Sequence, residues 1–304
     1  TTLTQAPLYN QEAEHPMNHL IADRVWIRFG AATVLAAALV LTHIAQAANN
    51  TAVPGGIYAW PVPENAQNIR FEDRPVLVAN STALIGIPIK RPLGTATLTF
   101  LQQGQLRTHS FEIVDKRYTE QRITLKNQEM VTPNPAQLAR IREESTRQRA
   151  IYARVSAPVD LNAGFTLPLT GRTTSLFGHR RFFNDQPRSP HSGLDIAAPT
   201  GTPVAAPGPA TVALVDDLYY NGKTVFLDHG QGLITMYCHL SAQTVTLGER
   251  VEQNQQIGLV GATGRVTGPH LHWSVSLNGY RIDPISFRSA LADAVGLDPD
   301  SLGR

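Results

Sequence analysis

Cysteine is almost absent from this sequence, which limits how the fold can be stabilised. The 304 residues contain one cysteine, Cys238. A single thiol cannot form an intramolecular disulfide, and it cannot supply the several thiolates of a cysteine-based zinc knuckle. Any metal site must therefore be built mainly from histidine, aspartate or glutamate.

A strong charge of one sign is also missing. The formal net charge is +2 at pH 7, only 16% of residues are charged, and no run of five or more lysines and arginines occurs. This balance gives no reason to expect a nucleic-acid partner. The 42% of hydrophobic residues exclude a disordered chain, and a chain of this length is typical of about two domains.

A long apolar run, FGAATVLAAALVL at residues 29–41, is typical of an export signal. Two arginines precede it, and Ala-Gln-Ala follows at residues 45–47. A basic start, an apolar stretch of this length and an Ala-x-Ala ending describe a secretory signal peptide. We therefore predict a leader at residues 1–47, with Met17 as an alternative start, and export to the periplasm or cell envelope. The alternative is an uncleaved inner-membrane anchor over residues 29–48, which is just long enough to span a bilayer.

The next part of the chain has the pattern of short strands. Threonine and apolar residues alternate in Ala96-Thr-Leu-Thr-Phe-Leu, and Pro/Gly turns separate several similar runs. This alternation has the period of a half-buried strand. We predict a mainly β protein that begins with an N-terminal β-sandwich-like domain over residues 48–130.

A segment with few helix breakers follows. Asn134 is a good N-cap residue and Pro135 suits the first helical turn, so the pattern predicts a helix of about 18 residues. We interpret its arginines and glutamates as a solvated face. This helix would lie in a helical linker over residues 131–159.

Histidine is concentrated in the C-terminal part of the chain. Six of the ten histidines fall between positions 179 and 272, where glycine and proline are also dense. We predict a second, catalytic domain over residues 160–290 and a C-terminal tail over residues 291–304.

Two motifs in this region could bind one metal ion. His191-Ser-Gly-Leu-Asp195 places an imidazole and a carboxylate four residues apart. In His270-Leu-His272 the two imidazoles point to one face of a strand, because side chains two apart share a face. Two histidines and one carboxylate make a zinc site with an open position for water, whose pKa zinc lowers towards about 7.

The residues alone leave open which histidine of the pair at 270 and 272 meets the metal. The other histidine of the pair and His239, in Tyr237-Cys-His239-Leu, are left for proton transfer. Neutral imidazole can accept a proton near pH 7.

These motifs, with Gly-Pro before the final His-Leu-His, resemble the lysostaphin/LytM-type zinc metalloendopeptidases of peptidase family M23. The resemblance extends from Ser175 to Pro284, with every signature in order. It implies a compact antiparallel β catalytic domain of the lysostaphin-like, duplicated-hybrid-motif type. It also implies one Zn²⁺ per chain, bound by His191, Asp195 and His272. By the same resemblance, the base and the transition-state stabiliser are His239 and His270.

The resemblance implies an exported enzyme that hydrolyses cross-links or stem peptides of bacterial peptidoglycan. We assume a monomer. One alternative is a non-catalytic relative that activates other cell-wall hydrolases, and loss of a ligand residue would indicate it. Another is a general secreted protease. All five motif positions are intact, which favours chemistry at this site.

A few further residues are weaker candidates. His179 could line the substrate groove, and Phe182–Phe183 could cover it or simply pack. We interpret His229 as part of a turn between strands, and Cys238 as a small core residue.

Overall fold

Short strands dominate the part of the chain that the structure, a computed structural model, describes: residues 50–302. Three sequence predictions lie outside these residues: the leader at 1–47, the alternative start at Met17 and the alternative anchor at 29–48. The first nine strands are β1 (Thr51–Ala52), β2 (Ile57–Pro61), β3 (Ala66–Phe71), β4 (Arg74–Pro75), β5 (Leu77–Ala79), β6 (Thr82–Gly86), β7 (Gly94–Gln102), β8 (Gln105–Ile113) and β9 (Glu120–Ile123).

The N-terminal strands form a two-sheet sandwich, as the alternating pattern predicts. One sheet has the order β1-β8-β7-β3-β4 and the other β2-β6-β5. Along β7, Ala96, Leu98 and Phe100 are buried while Thr95 and Thr97 are exposed. The buried side chains on the facing sides of the two sheets share one hydrophobic core.

The predicted helix is confirmed as α1 (Pro135–Tyr152), and a 3₁₀ turn (Gln128–Met130) precedes it. The Asn134 side chain accepts a hydrogen bond from the backbone of Gln137, whose own side chain bonds back to Asn134, so a capping box begins the helix. The prediction of a wholly solvated charged face is wrong at Glu144. That side chain is buried because it bonds Arg140 and accepts the backbone N–H of Tyr219.

Twelve strands and a second helix follow in the described residues. They are β10 (Arg172–Ser175), β11 (Arg180–Phe183), β12 (Gln186–Pro187), β13 (Leu194–Ala197), β14 (Pro203–Ala205), β15 (Ala210–Leu218), β16 (Gly222–Asp228), β17 (Ile234–Gln243), β18 (Arg250–Val251), β19 (Gln256–Val260), β20 (His270–Leu277), β21 (Tyr280–Ile282) and α2 (Pro284–Val295), with a last 3₁₀ turn at Pro299–Leu302. The helix α2 crosses the predicted boundary at residue 290, and its Leu291 and Ala292 are buried.

One large antiparallel sheet carries the histidine-rich motifs. Its order is β10-β13-β20-β17-β16-β15-β18, and β14, β19 and β21 attach to it. The register sets Asp195 of β13 directly opposite His272 of β20. On the other side of β20, His272 faces Cys238 of β17. The centre of the sheet is fully buried, so these positions are held by a rigid framework.

The sheet β2-β6-β5 is here called the shared sheet, and its central strand β6 is buried on both faces. Ala83 and Ile85 of β6 lie in the core of the sandwich, whereas Leu84 lies in the core of the large sheet. Side chains from the C-terminal half also bond the backbone of this region. The Asn278 amide bonds both backbone groups of Gly86, and the Gln231 amide bonds both backbone groups of Val78.

A second junction joins the two halves of the chain. Strand β9 pairs in parallel with β11, so Gln121 lies opposite Arg181 and Ile123 opposite Phe183. A small apolar cluster of Leu125, Val131 and Phe183 lies beside this pairing. The division into domains near residues 130 and 160 stays a prediction.

Within residues 50–302, none of the helices is both long enough and apolar enough to cross a membrane.

The imidazole of His229 is fully buried behind the large sheet. Its Nδ1–H donates to the Pro209 carbonyl at 2.9 Å, and its Nε2 accepts from the Thr235 hydroxyl at 2.8 Å. Burial lowers the pKa of His229 to about 4. The residue follows β16 directly, which agrees with its predicted place in a turn.

We expect Leu84→Ala to lower the free energy of unfolding by about 2–5 kcal/mol, because it opens a cavity in the core shared with the large sheet. Leu106→Ala is the control, since the Leu106 side chain is 70% exposed and its loss should cost less than about 0.5 kcal/mol. Denaturant unfolding measures both values. Equal stability of the two variants would contradict the burial of β6 on both faces.

We also expect His229 to make the protein less stable in acid. The unfolded chain takes up a proton at this residue below its ordinary pKa of about 6.5, whereas the folded chain takes it up only near pH 4. The free energy of unfolding of wild type minus that of His229→Gln should therefore fall by about 3 kcal/mol between pH 6.5 and pH 4. Unfolding curves at several pH values measure this difference, and a constant difference would refute the assignment.

Candidate metal centre

The structure brings together the two motifs that the sequence predicted to bind metal. Asp195 Oδ1 lies 3.0 Å from His191 Nε2 and 2.7 Å from His272 Nδ1. The two imidazole nitrogens are themselves 3.0 Å apart. All three side chains are buried, and together they form a group able to hold a metal ion.

The inward nitrogen of His191 carries no proton. Its other ring nitrogen, Nδ1, lies 2.7 Å from the Leu176 carbonyl oxygen, which can only accept a hydrogen bond. Nδ1 therefore holds the proton of the neutral ring, and Nε2 faces Asp195 with a lone pair. Burial lowers the pKa of His191, which keeps the imidazole neutral at pH 7.

The same reasoning applies to His272. The Ser274 hydroxyl donates to the Ser192 carbonyl at 2.7 Å, so it can only accept from His272 Nε2 at 2.9 Å. The proton of the neutral ring is then on Nε2, and Nδ1 faces the cluster with a lone pair. Burial lowers the pKa of His272 to about 4, which again favours the neutral form.

Three electron pairs therefore converge on one point without a proton between them. Such an arrangement is repulsive unless a cation lies among the donors, and neutral imidazoles with outward N–H bonds are the usual form of metal-ligating histidine. The residues present thus fit a metal ion. The register explains why His272 completes the cluster, because it lies opposite Asp195 whereas His270 lies opposite Ala197.

His239 and His270 lie beside this cluster. Their ring centres are 4.8 Å apart, and the His239 ring is 6.1 Å from that of His272. His239 Nδ1 donates to the Thr263 carbonyl at 2.8 Å, and His270 Nδ1 donates to the Gly268 carbonyl at 2.9 Å. Both residues therefore keep Nε2 available as a proton acceptor. His270 Nε2 lies 3.9 Å from Asp195 Oδ1.

The backbone at His239 is unusual. His239 lies within β17, and the pairing of this strand shifts on both sides of it. His239 itself has a φ of +63°, a left-handed conformation that is costly for a residue with a Cβ atom. This bulge turns the imidazole towards His270. Burial, with the neighbouring His270 and His272, lowers the pKa of His239 to about 3.

Arg181 and Gln121 support the cluster from outside, and sequence reasoning missed both. Arg181 Nη2 donates to Asp195 Oδ2 at 2.8 Å, which leaves Oδ1 for the two histidines. Gln121 Oε1 accepts from Arg181 Nε and from the Ser175 hydroxyl, each at 3.0 Å. No local pattern could reveal these contacts, since β9 reaches the site only through its pairing with β11. Ser274 was detectable, because it shares the strand face of His272 two residues away.

A cavity of about 210 Å³ opens in front of these residues. Asp195, His239 and His270 line it together with Arg181 and Arg265. Residues of β9 and the following segment, Gln121, Ile123 and Leu125, form one wall. The cavity is thus a small recess that reaches the cluster through Asp195.

The weaker sequence candidates have different places. His179 is half-buried, with Nδ1 at 3.3 Å from the Ser175 hydroxyl. Phe183 is buried and lines the cavity. Cys238 is fully buried in a core, as predicted, and burial raises the pKa of its thiol to about 12.

Comparison with known proteins agrees with this geometry. Residues 189–284 match the sequence profile of peptidase family M23. The peptidoglycan DD-endopeptidase ShyA of Vibrio cholerae is 39% identical over 125 residues, which are 41% of this chain and 29% of that protein. The DD-carboxypeptidase/endopeptidase Mpg of Neisseria meningitidis is 39% identical over 115 residues, 38% of this chain and 26% of that protein. The matches thus span less than a third of the length of these two curated relatives.

A solved structure matches over a much larger share. It is a crystal structure from Pseudomonas aeruginosa assigned to the M23 peptidases, with 37% identity and a TM-score of 0.65. The match covers 78% of this chain and 95% of that one, so it extends well beyond the residues that match the family profile. From its metal-binding cluster, its matched motifs and this similarity, the chain belongs to peptidase family M23.

Proposed function

We propose that this protein is an exported zinc metalloendopeptidase that hydrolyses peptide bonds of bacterial peptidoglycan. The observation that carries the proposal is the convergence of His191 Nε2, His272 Nδ1 and Asp195 Oδ1, with two further histidines at the same cavity. A metal with two imidazole ligands, one carboxylate and an open position is typical of hydrolytic zinc enzymes.

Zinc would be held by His191, Asp195 and His272. When bound, the ion supplies a Lewis acid that polarises the scissile carbonyl and acidifies water. Of the two remaining histidines, His239 and His270, one accepts the proton of the attacking water at Nε2. The other would donate a hydrogen bond from Nε2 to the oxygen that gains charge, which requires a second proton on that ring, because its Nδ1–H is already held by a backbone carbonyl. The proton taken from water is finally passed to the leaving amine.

The surrounding residues prepare these groups. The carbonyls of Thr263 and Gly268 fix the ring orientation of His239 and His270, so each presents Nε2 to the cavity. Arg181 fixes the Asp195 carboxylate, and the buried sheet beneath excludes water. Preorganised donors of this kind cost no rearrangement during the reaction.

The names of the relatives support peptidoglycan as the substrate. ShyA is a peptidoglycan DD-endopeptidase, and Mpg is a DD-carboxypeptidase/endopeptidase. Peptidoglycan lies outside the cytoplasm, which agrees with the predicted export and with a site in the cell envelope. A non-catalytic regulator is disfavoured because all five motif residues are present, three of them at the cavity and the other two within 3.0 Å of Asp195 Oδ1.

We expect the protein to bind about one zinc ion per chain and to release peptide fragments from purified peptidoglycan. His272→Ala should lose both the metal and cleavage. His239→Ala and His270→Ala should keep the metal and slow cleavage by about 10²- to 10⁴-fold, the usual effect of removing an acid–base group. Elemental analysis and mass spectrometry of the fragments measure these outcomes.

His109→Gln is the control, because His109 lies on β8 in the N-terminal sandwich and should change neither quantity. Wild type that binds zinc but cuts only casein-like protein would favour a general secreted protease. Zinc binding with no cleavage of either material would favour the non-catalytic regulator.

Ser274→Ala should weaken zinc binding by about 10- to 100-fold, because it removes the acceptor that holds the His272 proton on Nε2. Ser276→Ala is a matched control on the same strand. Its hydroxyl is buried and has no hydrogen-bond partner in the described residues, so zinc affinity should not change. Competition with a chelator measures both affinities, and an equal loss in the two variants would contradict this role for Ser274.

A further inference from the structure

The charges around the cavity are unbalanced. Among its lining residues, the charged side chains are Arg181, Arg265 and one carboxylate, Asp195. Arg181 already pairs with Asp195 at 2.8 Å, so its charge is compensated within the site. A bound divalent ion would add further positive charge. The recess is therefore suited to a substrate that brings negative charge with it.

Arg265 is the cation that lacks compensation. Its guanidinium carbon lies 4.0 Å from the ring centre of Tyr220 and 4.5 Å from that of Phe183. The described residues give its side chain one hydrogen bond, a long one of 3.4 Å to the Met130 carbonyl. Within the same part of the chain, no carboxylate lies close enough to form an ion pair with it.

This environment is costly for a cation that serves only as packing. Burial lowers the pKa of Arg265 to about 10, and the nearby Arg181 and Arg188 lower it as well. The two aromatic rings hold the planar group in place, while most of its five N–H donors have no partner among residues 50–302. A fixed guanidinium with free donors is the usual receptor for a carboxylate.

We infer that Arg265 binds a free carboxylate of the substrate peptide next to the scissile bond, an inference that rests on the proposed peptidase function. The argument combines its place on the cavity wall beside His239 and His270, its fixed plane and its missing counter-charge. Arg265 thus determines which peptide cross-link fits the site.

The chemistry of cross-links makes this assignment specific. In a cross-link from D-alanine to the D-centre of diaminopimelate, the carbon that bears the scissile nitrogen also bears a free carboxylate. In a glycine bridge, the corresponding position carries only the next amide. A carboxylate receptor beside the catalytic histidines therefore selects the diaminopimelate type.

The test compares two synthetic peptide dimers on the zinc-loaded protein. Both contain the D-alanyl–diaminopimelate bond, but in the second the neighbouring carboxylate is converted to an amide. We expect wild type to cleave the carboxylate form with kcat/KM about 10- to 100-fold higher, the effect of a charge-assisted hydrogen bond. Arg265→Gln should cleave both forms at nearly equal rates, because its kcat/KM should fall for the carboxylate form and stay unchanged for the amide form. Arg250→Gln, an exposed arginine on β18, should behave as wild type.

Two outcomes would overturn the inference while leaving the peptidase function intact. One is equal cleavage of both dimers by wild type, which needs no variant to fold. The other is an Arg265→Gln variant that is slowed equally on both dimers, since that indicates a purely structural role. If wild type cleaves neither dimer, the proposed function fails. Calorimetric titration with both dimers then tests the inference by itself. Wild type should bind the carboxylate form more tightly, and Arg265→Gln should lose that preference. Equal binding of the two dimers by wild type would refute the receptor.

Discussion

The mutual repulsion of three lone pairs is the constraint on which the site depends. His191, His272 and Asp195 each direct an electron pair inward, since the Leu176 carbonyl and the Ser274 hydroxyl take the two ring protons outward. Holding such groups together costs free energy. Until a cation is bound, a rigid framework must offset this cost. The framework is the centre of the large sheet, where Asp195 and His272 are direct neighbours on adjacent strands.

Similar outward bonds organise the rest of the site. Backbone carbonyls hold the Nδ1 protons of His239 and His270, and Arg181 holds the second oxygen of Asp195. Four imidazoles are thus fixed in one protonation pattern by three backbone carbonyls and one hydroxyl. The left-handed backbone at His239 belongs to the same pattern, because local strain of this kind persists only where the surroundings over-determine it.

Much of this could be predicted from the sequence, and the remainder has a common physical reason. Side-chain period two located His270 and His272 on one strand face, and the cap residues located α1. The choice of His272, however, depends on the register of β20 against β13, which no local pattern encodes. Arg181 and Gln121 meet only because β9 pairs with a strand about 60 residues later in the chain. The burial of Glu144 depends likewise on a distant backbone N–H, that of Tyr219.

The shared sheet has a consequence for how this protein can be divided into fragments. Leu77 and Leu84 from the N-terminal half lie in the same core as Leu277 and Ile282 from the C-terminal half. A fragment containing only the C-terminal half would expose that apolar face to solvent, and exposed faces of this kind promote self-association. If such a fragment were poorly soluble, the newly exposed apolar face would explain it. The loss of solubility would then say nothing about how the removed residues influence catalysis.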